Sequence, residues 1–293
     1  MIFFQHIKNK FTPLNYRFWL RKFFVLTFAC LLLFKTLDIC FPFRINIPYS
    51  TIVSDKNGEI LHSFLTKDEK WRMKTELHEI TPDLRKSIVF KEDKYYFYHL
   101  GINPIAIFRA FFNNTIQGRR TSGASTITMQ VARLLEPKKR TYANKMLEFF
   151  RALQLEWHFS KLEILQMYLN LVPYGSNIEG VKSAAVLYFD KQPAQLSLAE
   201  VTTLTVIPNR PTSLLLGKKN EAVLKVRNQW LKRFQKSKVF DEISLQDALL
   251  EPLDAKRKSS PRLAPHSSYK IKNAYSQKAN ICLLYTSPSP RDI

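Results

Sequence analysis

The stretch SKLEILQMYLNLVPYGSNIEGV, Ser160 to Val181, sets the fold class. Ser160 followed three residues on by Glu163 is a capping box. The serine hydroxyl accepts from a free backbone N–H at the helix start, and the glutamate reaches back to the serine's own N–H. The helix it opens runs to about Leu171 and stops near Pro173, because proline cannot continue a helix. Gly175 and Gly180 then supply the backbone freedom for the turns that follow. Ser197-Leu-Ala-Glu200 repeats the signature and opens a helix to about Val206.

Upstream, Asn103-Pro104 reads as an N-cap with proline at the first helical position, opening PIAIFRAFFNN. Ser125 is expected to cap ITMQVARLL, whose Ile127, Val131 and Leu134 or Leu135 share a face. Thr141 caps the next helix, with Met146, Phe149, Phe150 and Leu153 at helical spacing. Ser50 to Leu65 reads as a β-hairpin closed at Lys56-Asn57-Gly58, since Asn-Gly favours a two-residue turn. No internal repeat is evident. From Lys218 the chain grows more charged and less periodic, and SSPRLAP reads as a linker. The expected class is mainly α, with its helical body over about Lys74 to Phe234.

Composition narrows the partners. The 293-residue chain is 45% hydrophobic, enough for one sizeable core with appendages. Its net charge of +21 suits an anionic membrane surface, a polyanion or a phosphorylated substrate. No zinc-ligand spacing, basic zipper or aromatic RNA-binding signature supports nucleic acid. Cys30, Cys40 and Cys282 make no disulfide framework, so an exported domain would hold by packing alone. Phe23 to Phe34 is unbroken apolar sequence; extended to Phe41 it reaches the roughly 20 residues of a bilayer span. A cleaved signal peptide is the alternative, but the bulky CFPFRINIP that follows offers no small-residue cleavage site. The reading is an uncleaved anchor. Lys8, Lys10, Arg17, Arg21 and Lys22 before it hold the N-terminus in the cytoplasm and place the rest outside.

The expected organisation is a basic N-terminus over 1–22, a transmembrane anchor over 23–41 and a β-hairpin linker over 42–73. A catalytic domain follows over 74–235, then a linker over 236–281. CLLYTSPSPRD resembles the translation of a transposase-type sequencing adapter, so 282–293 is expected to be an artefact outside the fold.

Four segments carry candidate chemistry. EDKYYFYHLG holds Glu92, Asp93, His99 and Gly101, and RRTSGASTITMQVAR holds Ser125, Thr126, Gln130 and Arg133. RTYANKMLEFFRALQLE places Lys145 and Glu148 three apart on one helix face, and the opening stretch adds Lys161, Tyr168 and Asn170. Each has a plainer reading. Asp93 serves as a structural hydrogen-bond acceptor and His99 satisfies a loop; Glu163 is accounted for by its capping box. Glu148 could be an ordinary helical partner of Lys145, while Phe149, Phe150, Leu153 and Tyr168 pack as core.

Together, ED-x5-H-x-G, GAST-x-T-x-Q, K-x-x-E and K-x-EIL-x-x-YLN resemble the peptidoglycan glycosyltransferase domain of class A penicillin-binding proteins, over roughly Ser50 to His266. The resemblance implies a lysozyme-like helical fold, polymerisation of glycan from lipid II, two essential glutamates at Glu92 and Glu148, and a transpeptidase domain beyond this chain. Glu92, among Tyr95, Tyr96 and Phe97, is expected to be desolvated and to act as general base on the acceptor 4-hydroxyl, with inversion. Lys145 and Lys161 would meet the pyrophosphate, backed by Arg133. Glu148 would orient Lys145, contact the leaving group through water, or hold a divalent cation such as Mg or Mn; no organic cofactor is expected. Asp93, His99, Ser125, Thr126 and Gln130 would line the substrate groove. Expected partners are lipid II, the nascent glycan strand, anionic membrane and other cell-wall synthesis proteins.

The chain departs from the family pattern at Tyr96 (usually phenylalanine), Lys91 (usually small), Asn144 (often basic) and Asp190 (usually glycine). Two rival functions remain: a glycan-cleaving lysozyme-like enzyme, which has no need of pyrophosphate lysines, and a non-catalytic scaffold for membrane or glycan.

Overall fold

The structure, a computed structural model, describes residues 13–56, 58–117, 125–275 and 280–282. Residues 1–12 with Lys8 and Lys10, Asn57, residues 118–124 with the start of RRTSGASTITMQVAR, residues 276–279 and the tail 283–293 lie outside the described residues. The chain divides into two compact units between Ile45 and Asn46.

Among the described residues, the first unit holds one helix, α1 (Pro13–Cys40). It starts well before the expected Phe23, because Pro13 fits the first turn and nothing before Pro42 breaks the helix. Lys22 lies 4.4 Å over the Phe18 ring, so a basic residue joins the helix by covering an aromatic face. Within it, Tyr16–Cys40 is long and apolar enough to cross a membrane.

The second unit is mainly helical. Strands β1 (Ile52–Ser54) and β2 (Ile60–Ser63) form the expected antiparallel hairpin. Its connection is longer than a two-residue turn: Asp55 N–H donates to Glu59 O at 3.0 Å across it, and Gly58 has φ 83°. Strand β3 (Trp71–Arg72) pairs in parallel with β4 (Ile178–Glu179). Strand β5 (Asn280–Cys282) pairs in parallel with β1, so the sheet extends across the expected 282 boundary.

The helices are α2 (Pro82–Glu92), α3 (Pro104–Gln117), α4 (Ile127–Leu135), α5 (Tyr142–His158) and α6 (Lys161–Leu171). There follow α7 (Val181–Ala184), continued by a π turn to Phe189, α8 (Leu198–Val206), α9 (Asn220–Lys236), α10 (Glu242–Leu250) and α11 (Pro265–Ala274). Both capping boxes form as expected, as do the Asn103 and Thr141 caps. Val239, Leu245 and Ala248, beyond the expected boundary at 235, share one core cluster with Leu231 and Phe234. The charged face of that region hid its apolar stripe from a reading by composition.

Helix α4 packs against α5 and α6, while α8 packs against α2 and α9. Ile127, Met129 and Val131 of α4 are fully buried, each contributing roughly 1.5–3 kcal/mol. Asp190 ends the π turn in the left-handed region at φ 59°, which aspartate tolerates better than most residues, and its carboxylate pairs with Lys258 at 2.9 Å.

Candidate active site

The site is organised around α4. Its N-cap is Thr126 rather than Ser125: the Thr126 hydroxyl accepts from Met129 N–H at 3.2 Å and donates to Gly101 O at 2.5 Å. Ser125 instead accepts from Lys145 Nζ at 2.9 Å. The Asp93 carboxylate adds a second tie to the start of α4, accepting from Ile127 N–H at 3.1 Å and from His99 Nε2 at 2.9 Å. Asp93, His99 and Thr126 are thus turned inward. They fasten the loop after α2 onto α4, and none of the three lines the cleft beside α5. Gly101 completes that join with φ 76°; an added Cβ would lie 2.8 Å from Glu156 Cγ and 3.0 Å from Ala152 O.

Glu92 is the last residue of α2, and its side chain is only 6% exposed. Gln130 Nε2 donates to its Oε2 at 3.0 Å, and Lys91 Nζ pairs with its Oε1. The aromatic residues next in sequence do not account for its burial. Tyr95 and Phe97 are exposed, and the buried Tyr96 hydroxyl donates to Lys161 O at 2.6 Å. The rings that feel the Glu92 charge are Tyr168 and Tyr174, both fully buried with hydroxyls lacking a partner among the described residues. Burial, reinforced by that carboxylate, pushes both phenols up.

This has a measurable consequence. A phenol raised above its unfolded value of about 10 lends stability that is present below pH ~10 and lost as pH rises past it. The thermal midpoint should therefore fall steeply above about pH 10. Tyr168→Phe should leave the midpoint near neutrality almost unchanged, since the hydroxyl has no partner to lose, and should shallow the alkaline fall. An unchanged alkaline profile would contradict this.

An open cleft of ≈ 480 Å³ lies on the other flank of α4. Ser125 and Arg133 line it from the α4 side, and Lys145 and Glu148 from α5. Lys145 Nζ donates to Glu148 Oε1 at 2.7 Å; the lysine side chain is 37% exposed and the glutamate 11%. Arg133, Lys138, Lys139, Arg140, Lys145 and Arg151 set six basic residues against two acidic ones, Glu136 and Glu148. Glu136 is itself paired with Arg151 at 3.2 Å and Lys138 at 3.1 Å. The cleft is built to attract an anion.

Lys161 does not line it. Its Nζ pairs with Glu156 at 2.7 Å and lies 4.5 Å over the Tyr96 ring. Glu92 does not line it either; Gln130 and Arg133, three apart on α4, connect the two places. Sequence reasoning missed Glu156, which also accepts from Thr128 at 2.5 Å, because a lone glutamate late in a helix carries no motif. It also missed the Lys138-Lys139-Arg140 run, whose plain signal was three consecutive charges after a proline. The Asn144 amide donates to Lys139 O at 2.8 Å beside that run.

A mainly helical body with an acid at the end of α2 and a cationic cleft beside α4 fits a known class. The chain belongs to the transglycosylase family, whose model, described as Transglycosylase, matches residues 57–235. Penicillin-binding protein 1C of Escherichia coli (strain K12) is 36% identical over 214 residues, 73% of this chain and 28% of that protein. Penicillin-binding protein 1A of Aquifex aeolicus (strain VF5) is 31% identical over 220 residues, 75% of this chain and 30% of its own. The 2.6 Å crystal structure of penicillin-binding protein 1A from Haemophilus influenzae covers 78% of this chain and 24% of its own, at 17% identity and a TM-score of 0.42. The chain thus spans under a third of the length of the curated relatives it matches.

Proposed function

We propose that this chain polymerises lipid II into glycan strands, as an inverting peptidoglycan glycosyltransferase held at the outer face of a bacterial cytoplasmic membrane. Glu92 accepts the proton of the acceptor 4-hydroxyl as that oxygen attacks the anomeric carbon of the donor. The bond from that carbon to the pyrophosphate oxygen breaks, its electron pair leaves with the polyprenyl pyrophosphate, and one displacement inverts the centre. The acceptor hydroxyl would replace one of the donors now on Glu92. Arg133, Lys145 and the Lys138–Arg140 run stabilise the charge growing on the leaving group. Glu148 fixes Lys145 in place.

The observation that carries this reading is the cationic cleft sharing a helix face, through Gln130 and Arg133, with a buried carboxylate. The lysozyme-like alternative has no use for six basic residues there. A divalent cation finds poor provision from the protein itself: Glu136 and Glu148 are both ion-paired, and no group of three His, Cys, Asp or Glu stands together among the described residues. An ion there would arrive with the pyrophosphate. Helix α1 would be the anchor, with Arg17, Arg21 and Lys22 on the cytoplasmic side and the surplus positive charge facing anionic headgroups. Cell-wall synthesis proteins would be its partners.

Binding of short polyprenyl ligands to the detergent-solubilised chain tests the cleft. Farnesyl diphosphate should bind at least about tenfold more tightly than farnesol, and Lys145→Met should remove most of that difference. Equal binding of the two ligands would overturn the assignment.

A further inference from the structure

We propose that Lys91 and Asn209 are positioning residues that hold Glu92 in its working orientation, a role that rests on the reading of Glu92 as general base. Lys91 is 3% exposed and Glu92 6% exposed, so their ion pair is buried. Neighbouring residues within a helix point about 100° apart and do not face each other. These two meet all the same at the last turn of α2, which ends at Glu92. Lys91 Nζ lies 5.7 Å from the Trp230 ring centre on α9, so its charge also faces an aromatic ring of a second element.

Asn209 joins them from a third direction, the turn Ile207–Asn209 that follows α8. With its amide oriented to satisfy both neighbours, its oxygen accepts from Lys91 Nζ at 2.9 Å. Its nitrogen donates to Glu92 Oε1 at 3.0 Å and Oε2 at 3.1 Å. Gln130 adds its own donation to Oε2 from α4. The carboxylate is therefore fixed by α2, α4 and the turn after α8. One side chain, Asn209, holds both members of the ion pair.

Such an arrangement does two things. It supplies the counter-charge that a buried carboxylate needs. It also fixes where the lone pairs point, which a base must have settled before its substrate arrives.

The test is steady-state polymerisation of lipid II by the full chain carrying Lys91→Met, Lys91→Arg, Asn209→Ala, Glu92→Gln or Lys91→Met with Glu92→Gln. Lys91→Met should lower kcat by about 10- to 100-fold with KM held within about twofold. Asn209→Ala should lower kcat by about tenfold, and Lys91→Arg should recover most of the parent rate. On the Glu92→Gln background, Lys91→Met should cost no further activity, and the double variant should melt higher than Lys91→Met alone, since the unpaired charge is gone.

Parent-like kcat in Lys91→Met and Asn209→Ala, with Glu92→Gln inactive, would overturn the clamp and leave the base standing. Parent-like kcat in Glu92→Gln would overturn the base itself. Should Lys91→Met fail to fold, Asn209→Ala and Lys91→Arg decide the matter by the same kcat and KM criteria.

Discussion

Glu92→Gln is expected to reduce glycan polymerisation by about a thousandfold or more while the domain still folds, consistent with the scale of general-base catalysis. The amide has nearly the carboxylate's shape and can still accept from Gln130, but it cannot take up the acceptor's proton. Its structural cost comes from Lys91, which keeps a buried charge and loses the charged partner. That cost should be about 1–3 kcal/mol, small enough for the helical core to survive. Circular dichroism with a lipid II assay separates the two effects. A folded variant that polymerises at the parent rate would exclude Glu92 as the base.

The second large effect is expected at Asp93, a residue whose contacts lie in the scaffold. Asp93→Ala removes the acceptor for Ile127 N–H and for His99 Nε2 together. Both donors stay buried with no replacement partner, which costs about 2–4 kcal/mol. The thermal midpoint should drop by roughly 5–15 °C. Activity should fall as well, because α4 carries Gln130 toward Glu92 and Arg133 toward the cleft. A variant with the parent's midpoint would show that the loop after α2 does not depend on this tie.

Helix starts were legible because capping is local. Ser160 with Glu163, Ser197 with Glu200, Asn103 and Thr141 all announce themselves within four residues, and all form. Thr126 shows the limit: Ser125 and Thr126 are both competent caps, and Thr126 serves while Ser125 accepts from Lys145, twenty residues away. The acid at Glu92 was legible as a buried group, but its surroundings were not. The neighbouring Tyr95 and Phe97 face solvent, while Tyr168 and Tyr174 arrive from α6 and the turn beyond it.

Charge was harder still. Lys145 and Glu148 could be paired from their spacing alone, whereas Lys161 finds Glu156 only once α5 and α6 are stacked. The 138–140 run becomes meaningful only when the chain folds it over the same cleft as Arg133. Such partnerships are made by tertiary packing, and no local pattern encodes them.

The most direct measurement follows product and leaving group together. Purified chain is given lipid II, and polymer length and released polyprenyl pyrophosphate are recorded over one time course. The account predicts growing glycan strands with one pyrophosphate released for every disaccharide joined. Shortening of preformed strands, or no pyrophosphate release from lipid II by a folded chain, would contradict it.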